Sequence, residues 1–323
     1  MLLSYWLRLV CLLLFSLGLI QAALSLLLQL LAPALDRVLA RLSPRWRERA
    51  CFVLPLTPHL AAFMLVALAI APQYIGGETN LLDERVAIAC IAGALLAAAR
   101  YAYALLRALR MIGGCPPAPN KTAIAAAAAI AAGAPGVPVQ IAESAYPVLM
   151  VTGLLRPAIT VSRRLLDRSL LSPEALEVAF AHELAHLRQW DNLKLFMLSS
   201  LALPGRGGAI AKRWRRAAEI AADSDAAAGS RARATLLAET LLVTAGAVPP
   251  QQALAPLALG LRSHEEDLQI RILRLIGEKP ESAVHAGRLS LLAASLLLLC
   301  GASLLFPLAL VPFHGVAECL LHL

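Results

Sequence analysis

Four stretches of this sequence are apolar over lengths that suit a lipid bilayer, and no other feature limits the available folds as strongly. A helix needs about 20 mostly apolar residues to cross the hydrocarbon core. Such runs fall near 9–31, 51–72, 86–106 and 289–311. Inside a bilayer each backbone N–H and C=O must find its partner within the segment, so all four are expected to be helices. Composition points the same way: of 323 residues, 59% are hydrophobic and only 15% charged, a balance rare in soluble domains. The first run exceeds the apolar core of a secretion signal, has no basic residue before Arg8 and is followed by further spans. It is expected to stay in the mature protein.

The formal charge of +8 suits nucleic acid as well as a membrane surface, so its distribution decides. Basic residues near span ends are retained on the cytoplasmic side. Arg37, Arg41, Arg45, Arg47 and Arg49 lie between the first two runs, and Arg100, Arg107 and Arg110 gather at the far end of the third. The segment around Glu78, Asp83, Glu84 and Arg85 is nearly free of them. The N-terminus is therefore expected outside and residues 111–288 inside. Tyr101 and Tyr103 beside Arg100 read as an interfacial belt with a snorkelling arginine, the alternative being a buried functional arginine. Cys11, Cys51, Cys90, Cys115, Cys300 and Cys319 show no CxxC spacing. No disulfide framework is indicated, and the four inside apolar runs read as small buried hydrophobes.

Residues 113–287 hold most of the acids and are long enough for one globular domain. This divides the chain into an N-terminal membrane region, 1–112, the central domain, and a C-terminal region, 288–323, with the last span and a short external tail. The domain opens on the linker GGCPPAPN and an alanine-rich tract, 121–132, that favours helix. Three β-type runs follow, 137–142, 148–152 and 158–162, punctuated by Pro147, Gly153 and Pro157, and they suggest a small antiparallel sheet. Ser172-Pro173-Glu174 supplies an N-cap, a proline at the first helical position and an early acid. That helix runs to about Trp190. Residues 195–204 are too few to span and read as a core helix or a shallow membrane hairpin. Further helices are expected over 212–228, 231–246 and 264–277.

The chemistry lies in the helix that begins at Ser172, in the segment His182-Glu183-Leu184-Ala185-His186. Residues four apart differ by about 40° around a helix, so both imidazoles project side by side and can share one metal ion. Zinc suits neutral imidazole, and a hydrolytic site needs a third protein ligand and an open position for water. Glu183, beside the first histidine, is placed to take a proton from that water. HExxH alone recurs by chance on solvated helix faces, so a second signal is required. Glu219 on a separate helix supplies the third ligand, and Asp223, one turn on, accepts the ring N–H of a ligand histidine. The bland alternative is an exposed acidic stripe paired with Arg215 and Arg216.

On these residues the chain resembles the BlaR/MecR-type regulatory membrane metallopeptidases, a branch of the gluzincins, and more distantly the HtpX and CAAX-prenyl-protease group. The motifs that carry the resemblance are Pro147 to Gly153, RPAITVS from Arg156, HELAHLRQWD from His182 and EIAAD from Glu219. Three spans before the domain and one after it match as well. The resemblance implies a mainly α membrane protein, with a cytoplasmic α+β gluzincin-like domain inserted between the third and fourth spans. It also implies a multi-pass location in a bacterial-type inner membrane. One zinc ion per chain is expected on His182, His186 and Glu219, with Glu183 as catalytic base. The expected partners are the lipid bilayer and a protein or peptide substrate, such as a transcriptional repressor or the chain itself. The antibiotic sensors of the family carry a penicillin-binding domain after the last span, whereas about ten residues follow Phe313 here. β-Lactam sensing by this chain alone is not expected. The segment around Pro204-Gly205 also lacks the family's Asn-Pro and aromatic residues. Two other readings share these motifs: a housekeeping membrane protease, and a non-catalytic signalling scaffold.

A substrate peptide is expected to pair with the sheet edge around 148–152, since backbone pairing requires no particular sequence. Tyr146, Arg262 and His264 are candidate donors to the oxyanion. Arg188 and Asp191 either brace the ligand helix or form ordinary surface pairs. The basic run Lys212-Arg-Trp-Arg-Arg216 reads as attraction to anionic headgroups, and direct nucleic-acid binding is not expected. His59 near the second span is expected close to the cytoplasmic interface.

Overall fold

The computed structural model describes residues 2–77, 84–113, 136–144, 146–166, 170–201, 207–246, 259–260 and 265–277. The expected fourth span and tail, the alanine-rich tract at 121–132, the acidic segment 78–83 and the candidates Arg262 and His264 lie outside them. The chain is mainly helical and divides into two units, Met1–Leu42 with Phe52–Arg107, and Ser43–Cys51 with Ala108–Ala283.

The first unit is built from α1 (Tyr5–Leu39), α3 (Thr57–Leu65), α4 (Ala71–Gly77) and most of α5 (Ile88–Gly113), while the short α2 (Pro44–Val53) belongs to the second unit up to Cys51. Three helical stretches are long and apolar enough to cross a membrane: Tyr5–Leu39, Pro44–Gly76 and Ile88–Arg110. Leu30, Leu68 and Leu96 remain exposed, as a surface that faces lipid requires. Small residues set the approach of α1 to α5. A methyl group at Gly93 would fall 2.2 Å from Phe15 Cδ2, and one at Gly18 would fall 3.2 Å from Ala97 Cβ. Such contacts let two spans pack closely where no water drives them together. Arg100 turns toward its neighbours, donating to Gln21 Oε1 and lying 3.1 Å from His59 Nε2. The snorkelling arginine expected from the sequence is thus part of a three-helix polar contact.

The second unit carries a sheet in the order β3-β5-β4-β6, with β3 Val139–Ala142, β4 Leu149–Thr152, β5 Ala158–Ser162 and β6 Leu259–Gly260; the remaining pair, β1 (Leu2–Leu3) and β2 (Glu84–Arg85), belongs to the first unit. The sheet is mixed, correcting the antiparallel expectation: β3 runs parallel to β5 while β4 is antiparallel to it. The tight turn between β4 and β5 forces those two into a hairpin, and β3 takes the far side of β5 instead of pairing with the strand that follows it. At Gly153 the turn has φ +88°, and a Cβ there would meet Arg156 O at 2.6 Å, so only glycine fits.

Helices α7 (Pro173–Gln189), α10 (Arg231–Gly246) and α11 (Glu265–Gly277) contribute to the core over this sheet, with the short α6 (Arg163–Leu166) at the end of β5. Val151, Ile159, Val161, Phe180, Leu237 and Leu241 are buried there. Each such side chain stabilises the fold by about 1.5–3 kcal/mol relative to exposure. Helix α8 (Asp191–Leu201) buries Leu195 and Leu198 and packs against α9 (Gly207–Ala227).

Candidate metal centre

Helix α7 starts as the sequence predicts: Ser172 is extended, its hydroxyl accepts from the Ala175 N–H at 3.2 Å, and Pro173 follows. The cap satisfies one of the free N–H groups of the first turn, worth about 1 kcal/mol. The helix places Val178 and Ala179 in the core and His182, Glu183 and His186 on an adjoining stripe, all buried. It ends at Trp190, whose left-handed backbone (φ 57°) turns the chain back sharply. Asp191 and Asn192 return beneath the helix as a result.

Helix α9 packs against α7 and buries the small side chains of Ala218, Ala221 and Ala222. Helices separated only by methyl groups sit close. This closeness brings Glu219 within reach of two histidines on another element. One ligand atom from each of His182, His186 and Glu219 lies within 4.8 Å of the others. The two Nε2 atoms are 3.2 Å apart, and Glu219 Oε2 and Oε1 lie 3.4 Å and 3.8 Å from His182 Nε2 and His186 Nε2.

The opposite face of each ring is held by an aspartate. His182 Nδ1 lies 3.0 Å from Asp223 Oδ1, and His186 Nδ1 lies 2.7 Å from Asp191 Oδ2. An ionised carboxylate only accepts, so each Nδ1 carries the proton and each Nε2 presents a lone pair. With both rings neutral, two lone pairs and a carboxylate converge in one buried space. That arrangement repels itself unless a cation lies at the centre, and the donor set of two imidazoles and a carboxylate fits a divalent metal with nitrogen preference.

Protonation follows from the same contacts. In the metal-free protein burial works to lower the His182 pKa, but the bonds to Asp223 and Glu219 outweigh it and push it up to about 9. A proton then does the work of the cation. Burial would raise Glu219, yet Arg271 and the two histidines bring it down to about 2. Asp223, also buried, is held well below the carboxylate range, chiefly by Arg271. Glu183 goes the other way: burial raises it to about 7 against the pull of both histidines. Its Oε2 accepts from the Val151 N–H at 3.0 Å, while its buried Oε1 has no hydrogen-bond partner among the described residues. One oxygen is thus fixed, and the other is left without a hydrogen bond among the described residues. Asn192 Nδ2 donates to the carbonyls of Val151 and Gly153, both at 3.0 Å, and ties β4 to the turn below His186.

The structure brings His182, Glu183, His186, Glu219 and Asp223 together, and the acidic pair is buried instead of forming a solvated stripe with Arg215 and Arg216. Its cation is Arg271 of α11, which sequence reasoning missed. Arg271 Nη1 is 2.7 Å from Glu219 Oε2, and its Nε and Nη2 make a fork on Asp223 at 2.7 Å and 2.6 Å. One signal was present: Arg271 interrupts an apolar stripe of Leu268, Ile272 and Leu275 at helical spacing, where an arginine requires a buried partner. Asp191 braces the ligand helix, whereas Arg188 is exposed. In the basic run, Trp214 is fully buried and Arg216 pairs with Asp267. Tyr146 is half-buried, its backbone N–H bonded to Ser144 Oγ, and shares no hydrogen bond with the cluster. The edge of β4 expected to receive substrate is paired with β6, Val151 opposite Leu259 and Met150 opposite Gly260.

Comparison of the chain with protein-family models, with curated proteins and with solved structures finds no match in any of the three.

Proposed function

We propose that this chain is a membrane-anchored metallopeptidase. More particularly, it is a zinc-dependent endopeptidase resembling the BlaR/MecR type, with four spans, an external N-terminus and its catalytic domain on the cytoplasmic side of the inner membrane. In this reading it cleaves a cytosolic regulatory protein such as a repressor. The observation that carries the proposal is the convergence of His182, His186 and Glu219 within 4.8 Å in a buried site, with Glu183 beside them. Chance HExxH matches have no reason to meet a carboxylate from a second helix.

Zinc held by His182, His186 and Glu219 would lower the pKa of a water toward about 7 and polarise the scissile carbonyl. Glu183, raised to about 7 by burial, is poised to take the proton of the attacking water on Oε1 and to pass it to the leaving amine. The Val151 N–H keeps the carboxylate aimed during both transfers. Asp223 and Asp191 fix the tautomers of the two histidines, and Arg271 keeps Glu219 and Asp223 ionised in an apolar surrounding. Substrate backbone pairs with β4 in this scheme, taking the place of β6.

The purified full chain and its Glu183→Gln form are to be compared by metal analysis and by mass spectrometry of fragments from cells that express each. One zinc per chain in both, with cleavage products only from the parent, is the expected result. Fragments produced equally by the variant would end the peptidase reading.

A further inference from the structure

The two histidines are held by parallel chains of charge. From His182 the chain runs through Asp223 to Arg271. From His186 it runs further: Asp191 Oδ2 holds Nδ1 at 2.7 Å, Asp191 Oδ1 meets Lys194 Nζ at 3.1 Å, and Lys194 Nζ meets Glu48 Oε1 at 2.9 Å. Glu48 is fully buried and its Oε1 also accepts from Trp214 Nε1 at 2.9 Å. It lies on α2, near the start of the second candidate span, Pro44–Gly76, in the part of the chain that packs as one unit with the metal site. Arg45, on the same helix, pairs with Asp225 of α9.

Two properties make this more than packing. A buried ion pair seldom stabilises a fold better than apolar side chains of the same size, so burying Glu48 and most of Lys194 calls for another benefit. Asp191 meanwhile has two oxygens to satisfy, and the second is met by Lys194, whose ammonium has three rotatable donors on a flexible stem. Without a second anion to hold it, that stem has many placements. Glu48 selects the one that leaves Asp191 aimed at His186.

We propose that Glu48 is a positioning residue of the metal centre, acting through Lys194 and Asp191 on the His186 ring, so that the segment that opens the second candidate span is part of the site. The proposal rests on the metal reading given above. It is tested on the detergent-solubilised full chain by measuring zinc affinity in competition with a chromophoric chelator. Glu48→Gln keeps the shape and the acceptor for Trp214 but removes the negative charge that faces Lys194. The zinc dissociation constant is expected to rise about three- to tenfold, less than the 10–100-fold typical of a group that touches the ligand itself. In an Asp191→Asn background the same substitution is expected to change it by less than about twofold, because the route is already cut.

Unchanged zinc affinity in Glu48→Gln overturns the proposal, and so does an equal loss in both backgrounds, which marks a purely structural effect. Should Glu48→Gln fail to fold, the neutral pair Glu48→Gln with Lys194→Met removes the buried cation together with its anion, and the same loss of affinity is expected from it. A parent chain that binds no zinc defeats the metal reading itself. Zinc bound normally by both parent and Glu48→Gln defeats the positioning role alone.

Discussion

In the metal-free protein a proton on His182 does what a cation would do among three buried acceptors. Its pKa stands at about 9 against an ordinary 6.5, which fixes the sign of two pH effects. The charged ring stabilises the metal-free fold fully below pH 6.5, and this contribution disappears as the pH rises through about 9. Metal must displace the proton, so zinc affinity is expected to climb about tenfold per pH unit from neutral pH to about 9 and then level off. Titration calorimetry at pH 7 in two buffers of different ionisation enthalpy checks this. Release of at least one proton per zinc is the expected outcome, and none would mean that His182 is already neutral. Of the residues involved, the sequence revealed the two histidines and Glu183 through their spacing, and Glu219 and Asp223 through theirs. Arg271 was hidden because an arginine on an amphipathic helix ordinarily reaches solvent, and only folding shows that this one cannot.

At the scale of elements, α7 was legible from end to end, since its cap, its first-turn proline and its apolar spacing are all local signals. Its last residue was not. Trp190 adopts the left-handed conformation that costs a non-glycine residue about 1–2 kcal/mol, and the residue is 46% exposed. The strain is the consequence of returning Asp191 to His186 and Asn192 to β4 within two residues. Trp190→Gly is expected to relieve it, offset in part by about 0.5–1 kcal/mol of added freedom in the unfolded chain. A net gain of roughly 0.5 kcal/mol should raise the melting temperature by a degree or two, and a lower one would show that the indole contributes packing. The mixed sheet was also beyond local reading. Each strand was visible from its composition, but the side of β5 that β3 joins is settled by contacts across the sheet.

For the whole molecule the decisive variable is which side of the membrane each segment occupies. The arginines between the first two apolar runs and at the end of the third argue for the proposed cytoplasmic placement of the central domain. Alkaline phosphatase fused within 78–83 is expected to be active and within 114–120 inactive, with the reverse pattern for a fluorescent cytosolic reporter. Phosphatase activity at 114–120 would remove cytosolic repressors as substrates while leaving the metal site untouched.

By itself the sequence determined that this chain has bilayer-length helices and that two imidazoles and an acid share one helical face. Both follow from spacing along a single element, where 1.5 Å of rise and 100° of turn per residue are fixed by the backbone. Only the tertiary structure decided that Glu219 meets those imidazoles, that Arg271 neutralises the acids behind them, and that Glu48 joins the same network. Those residues are separated by tens to more than a hundred positions. Their meeting depends on alanine-sized contacts and on the exclusion of water from the space they share.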